Sequence, residues 1–141
     1  MNNQFPLPCG IATPQIFTEG PVNMNLVNTY VREVETRGYD SLWVQDQTLG
    51  KASSLEPVSL LCYIAAITNR VRLGTSVLVS PNRNPTNLAK TLITLDQMSN
   101  GRLVIGIGLG AMSRGQSLFG APTTNRVQHF IEGILVMKEL M

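Results

Sequence analysis

Val71-Arg-Leu-Gly-Thr-Ser-Val-Leu-Val79, Pro81, Asn84-Pro85, then Leu88, Leu92, Leu95 and Ser99, then Asn100-Gly101, then Arg102-Leu-Val-Ile-Gly-Ile-Gly-Leu-Gly110 places two apolar runs on either side of a helical pattern. The first run is rich in β-branched residues and nearly continuous in its apolar character, as a strand covered on both faces should be. Pro81 ends it. Asn84 is a good N-cap, and Pro85 stands at the first helical position, where a missing N–H costs nothing. Leu88, Leu92, Leu95 and Ser99 then recur along one side at helical spacing. Asn100-Gly101 stops that helix, and the second apolar run repeats the strand pattern.

The same punctuation appears upstream. Ser41-Leu-Trp-Val-Gln45 reads as a strand ending in the polar cluster Asp46-Gln47-Thr48. Glu56-Pro57 opens a helix with Val58, Leu61, Ile64 and Ala65 on its apolar face, closed by Asn69. Earlier still, Cys9-Gly-Ile-Ala-Thr-Pro14 reads as a short strand and residues 15–25 as a polar loop. The next helix carries Leu26, Val27, Tyr30, Val31 and Val34, with Arg32, Glu33 and Glu35 between them and Gly38 as its stop. Downstream, a Gly/Ser-rich loop leads to a helix from about Asn125, with Val127, Phe130, Ile131, Ile134 and Leu140 expected inward.

Strand starts near Cys9, Ser41, Val71 and Arg102 therefore recur about every 30 residues, the size of one βα unit. Alternating strands and helices mean a parallel sheet. A doubly wound open sheet and a (β/α)8 barrel both fit. Eight such units make the roughly 250 residues of a typical barrel. The expectation is an α/β fold, a partial TIM barrel of four parallel βα units over residues 1–141, the N-terminal half of a barrel.

Composition agrees. In 141 residues, 43% are hydrophobic and only 14% charged, so the chain is not disordered and carries little solvated surface. A net charge of +2 with scattered Lys and Arg argues against nucleic acid. There is no transmembrane run, and Met-Asn-Asn-Gln-Phe-Pro is not a signal peptide, so a cytoplasmic protein is expected. Cys9 and Cys62 lie in no CxxC and read as free core thiols; His129 reads as a helix-surface residue.

In parallel α/β folds, ligands bind at the carboxyl ends of strands. That rule selects Thr13-Pro14-Gln15, Asp46-Gln47-Thr48, Thr75-Ser76-Val77 with the loop to Asn84, and Gly108-Leu-Gly110 with Ala111. Gly106, Gly108 and Gly110 are no dinucleotide fingerprint, because GxGxxG fails at Ser113. They thin the strand so that a neighbouring backbone or a flat ring can approach. Asp46 reads either as a turn cap or as a hydrogen-bond partner for a heterocycle edge. Arg83 reads as a solvated loop residue, with anion steering as the alternative. No Ser/His/Asp set, metal cluster or P-loop lysine pattern appears, so chemistry here needs a bound cofactor.

Gly38-Tyr-Asp-Ser-Leu-Trp-Val-Gln-Asp46, Arg72 through Val79, Asn84-Pro85 with Leu88-Ala89-Lys90, and Leu95-Asp96 through Arg102 into Gly110 resemble the luciferase-like monooxygenase family along essentially the whole chain. The resemblance is closest to members using the deazaflavin F420. It implies a TIM barrel that holds a flavin or deazaflavin ring at the strand ends, with a non-proline cis peptide in a bulge at Ser76–Val77. Asp46, Thr75, Ser76, Val77, Leu109 and Gly110 are then the cofactor-binding candidates and Gln47 the catalytic candidate. F420-dependent members commonly have His where Gln47 stands, and glutamine does not titrate. Sugar-phosphate dehydrogenases of the family carry Glu where this chain has Ala111, which argues against that substrate.

The leading expectation is an oxidoreductase that transfers hydride between F420 and a small molecule. The alternative is an FMN-dependent monooxygenase using reduced flavin and oxygen. Family members are about twice this long. A homo-oligomer or a missing C-terminal half is expected, and tight flavin binding by this chain alone is not. A different class of reading is a non-catalytic half-barrel acting through dimerisation.

Overall fold

The computed structural model describes residues 7–47, 52–111 and 116–141. Its elements run β1 (Gly10–Ala12), β2 (Ile16–Phe17), α1 (Met24–Thr36), β3 (Ser41–Val44), β4 (Ser53–Ser54), α2 (Pro57–Ile67), β5 (Arg72–Val79), a 3-10 turn at Ser80–Asn82, α3 (Pro85–Met98), β6 (Leu103–Gly108), a second 3-10 turn at Gln116–Phe119 and α4 (Arg126–Leu140). Four strands form one sheet in the order β1-β3-β5-β6, and every neighbour pair is parallel. Thr48 and Ser113 lie outside the described residues.

The helices begin where their caps demand. The Asn23, Glu56 and Asn84 side chains accept from the N–H groups of Leu26, Ser59 and Asn87, and prolines fill the first turns of α2 and α3. α3 stops at Asn100 and Gly101, with φ of 58° and 73°.

One sheet face packs against α1, α2 and α3. Leu42, Val44, Leu73 and Leu78 meet Val27, Val31, Leu61, Ile64, Leu92 and Leu95 in a single buried cluster. Ile105 and Ile107 of β6 pack against its edge. By strand alternation, Gly10, Ala12, Ser41, Trp43, Gly74, Val104, Gly106 and Gly108 lie on the other face, the inner face, away from these helices.

The amino end of the sheet is locked by two side chains. The Arg102 guanidinium donates to the carbonyls of Ala65, Thr68, Val71 and Ser99 and to the Thr68 hydroxyl. The Glu35 carboxylate accepts from the successive N–H groups of Asn69, Arg70 and Val71. Burial alone would raise the Glu35 pKa, but those N–H donors and nearby Arg102 hold it below its ordinary value.

Three expectations change. Residues 15–25 contain a strand, because β2 pairs antiparallel with β4. Cys9 and Cys62 are free but half-buried, Cys62 at the edge of the core. In α4 the buried residue is Met137, with Ile134 at the core edge, while Val127, Ile131 and Leu140 are exposed. That helix packs on α3 and the Ser80–Asn82 turn, and it carries apolar residues around more of its circumference than this one-sided contact covers. His129 is exposed on α4. No helix among the described residues is long and apolar enough to cross a membrane.

Candidate active site at the carboxyl rim

The rim is organised by an irregularity in β5. Thr75 pairs with Ile105 and Leu78 with Ile107, so three steps on β5 match two on β6. The extra residue makes a bulge, and the Ser76–Val77 peptide within it is cis. Such a bulge breaks the backbone ladder. Here the Thr75 hydroxyl fills the gap, accepting from Gly106 N–H at 3.0 Å and donating to Gly106 C=O at 2.9 Å. The Thr75 side chain is thus buried and fully engaged.

The glycines of β6 answer to the same bulge. A Cβ on Gly106 would collide with the Thr75 carbonyl oxygen, and one on Gly108 would lie 2.6 Å from Val77 Cγ2. Val77 therefore lies across two side-chain-free positions on the inner face. It remains 43% exposed, and Ser76 is exposed beside it. The bulge thus presents an apolar isopropyl group and a hydroxyl-bearing residue at the strand ends.

Asp46, just beyond β3, faces another role. Its side chain is only 6% exposed. The carboxylate accepts from Val79 N–H at 2.8 Å and is ion-paired with Arg83. Arg83 reaches on to Glu56 Oε1 at 2.9 Å, while Glu56 also accepts from Ser59 N–H at the start of α2. The reading of Arg83 as a solvated loop residue is corrected: opposite charges on both sides hold it at the rim. Its desolvation lowers its pKa, but the bonds to Asp46 and Glu56 outweigh that and raise it. Burial pushes the Glu56 pKa up; the Ser59 N–H and Arg83 bonds outweigh it and leave it lowered. This clamp joins the ends of β3 and β5 to the starts of α2 and α3.

Leu109 and Gly110 follow β6, and their carbonyls accept from the Arg126 guanidinium at 3.4 and 2.8 Å. Gly110 has φ of 73°, a turn that favours glycine. Gln47 is exposed at the end of β3. Gln15, in the rim set, is buried and bridges two loops: its amide donates to Gln45 C=O and Leu55 C=O and accepts from Gln45 N–H.

The structure brings Thr75, Ser76, Val77 and the β6 glycines together, and it sets Asp46 one strand away behind an ion pair. Glu56 and Arg126 were not singled out as site residues in the sequence, because each acts through a contact 16 to 27 residues distant. A cavity of about 360 Å³ lies in the helix layer, lined by α2 and α3 with Glu56, Cys62, Arg83 and Thr91. Burial and the Glu56 charge push the Cys62 thiol up, away from a reactive thiolate. Among the described residues, no His, Cys, Asp and Glu group is placed to hold a metal ion.

The family model for luciferase-like monooxygenases matches residues 10–141. An F420-dependent glucose-6-phosphate dehydrogenase of Kineococcus radiotolerans is 40% identical over 83 residues, covering 55% of this chain and 25% of that protein. A 4-hydroxyprotoasukamycin monooxygenase of Streptomyces nodosus subsp. asukaensis is 28% identical over 105 residues, covering 74% of this chain and 28% of its own length. The FMN-bound oxygenating constituent of 3,6-diketocamphane monooxygenase from Pseudomonas putida superimposes with a TM-score of 0.75 at 19% identity, over 92% of this chain and 37% of that one. The chain thus matches about a quarter to a third of these curated relatives' length, and its four βα units correspond to part of a luciferase-like barrel.

Proposed function

Because the chain belongs to the luciferase-like monooxygenase family, we propose that it forms the ring-cradling part of an oxidoreductase that uses coenzyme F420 and a small-molecule substrate. The observation that carries this reading is the Ser76–Val77 bulge, with Val77 lying over Gly106 and Gly108 at the carboxyl rim. The 40% identity to an F420-dependent relative supports the choice of ring.

The residues present fit a flat heterocycle. Val77 offers an apolar surface seated on Gly106 and Gly108, and Gly74 lets the Trp43 side chain lie close to the sheet, so neither wall stands far above the backbone. Ser76 supplies a hydroxyl, and Leu109 and Gly110 close the far side with carbonyls already turned to Arg126. Asp46 contributes indirectly, by holding Val79 and Arg83 at the end of β5. When bound, the deazaflavin supplies hydride transfer. Gln47 orients substrate or ring by hydrogen bonding and moves no proton.

That last property favours a second reading, an FMN-dependent monooxygenase, in which no titratable group is required at Gln47. Titration of purified chain with F420 and with FMN, followed by each ligand's own fluorescence anisotropy, tests both. Saturable but weak binding is expected, with F420 the tighter. Tighter FMN binding selects the second reading. A stable dimer that binds neither ring replaces both with a structural half-barrel.

A further inference from the structure

Trp43 is the single tryptophan of the chain and sits on the inner face of β3. It is laid flat there by its neighbours. A Cβ on Gly74 would strike the six-membered ring, 2.8 Å from Cδ2 and closer to Cε3 and Cζ3; one on Gly10 would strike the five-membered ring, 2.9 Å from Cδ1 and closer to Nε1. Gly10 belongs to β1 and Gly74 to β5, on opposite sides of β3. The indole therefore spans three strands, with one face against two glycines. Its Nε1–H donates to Ser41 Oγ at 2.8 Å, which fixes the ring in this pose. The side chain is only half-buried.

The position relative to the rim follows from register. Trp43 pairs with Gly74, and the Ser76–Val77 bulge begins two residues, about 7 Å, further along β5. A three-ring heterocycle is longer than that step. Resting on the reading above, we propose that Trp43 is the floor of the ring pocket, meeting the planar ring that the Ser76–Val77 bulge supports from the side. The opposing account is that Trp43 only fills the interior of a barrel.

The two accounts separate in one experiment. Incorporation of 5-fluorotryptophan gives a single fluorine resonance, at Trp43. Titration with F420 and FMN is expected to shift it along the same saturation curve as the ligand's own fluorescence. Trp43→Leu is expected to weaken ring affinity about three- to tenfold, the factor an aromatic contact supplies, with Trp43→Phe recovering most of it. If the ligand signal saturates while the resonance stays still, the floor assignment is overturned and the cofactor reading stands. If neither signal changes up to millimolar ligand, the cofactor reading fails and takes this inference with it.

Discussion

Asp46→Asn removes one charge from the rim and little else. The amide oxygen that remains can still accept from Val79 N–H, so the loss falls on the Arg83 pair. Stripping one partner from a fully buried pair costs about 3–5 kcal/mol. Here the Arg83 side chain is 21% exposed and keeps Glu56, itself 47% exposed. Both facts reduce the cost, to about 2–3 kcal/mol. For a domain of this size that lowers Tm by about 6–12 °C. Thermal unfolding followed by circular dichroism reads the shift. The double variant Asp46→Asn with Arg83→Met should lose less than the sum of the single changes, by about 1–2 kcal/mol, because the pair is coupled. A single Asp46→Asn variant melting within about 1 °C of the parent would refute the clamp and return Asp46 to direct ligand contact.

Thr75→Val keeps the volume but leaves Gly106 N–H and C=O without their partner; urea unfolding should show a loss of about 1–3 kcal/mol, most of it absent in Thr75→Ser. Glu35→Gln should cost about 1 kcal/mol near neutral pH, a modest figure because the group is half-exposed. A lowered folded pKa means that this stabilisation is present above the unfolded value of 4.5 and lost as pH falls through the folded one. Parent and variant should therefore converge in stability below pH 4.5, and a difference that persists undiminished in acid would contradict the role given to the three N–H donors.

The repeating unit was legible because its signals are local. Asn84-Pro85 caps α3 as read, Gly38 and Asn100-Gly101 end helices, and the continuous apolar run at 71–79 became a strand at the centre of the sheet. The short β2–β4 pair was not legible, because two residues carry no period. The inner face of α4 was misread for a related reason: its apolar residues wrap the helix, so periodicity could not choose a side. At the site, the cis bond at Ser76–Val77 was implied by resemblance alone. The thinning of β6 by glycine was readable as chemistry, and the structure shows that Thr75 and Val77 are what approach it. The Asp46–Arg83–Glu56 clamp needed three loops brought together, which no single stretch of sequence encodes.

The β2–β4 pair and the Gln15 amide tie the segment after β1 to the segments on either side of the loop after β3. These two rim segments share backbone bonds, so neither has its own conformation to change. For redesign, they are one part rather than two. A segment exchanged alone loses the register at Ile16–Ser54 and the three bonds of Gln15. Grafting them as a matched pair keeps the rim intact while its exposed positions are varied.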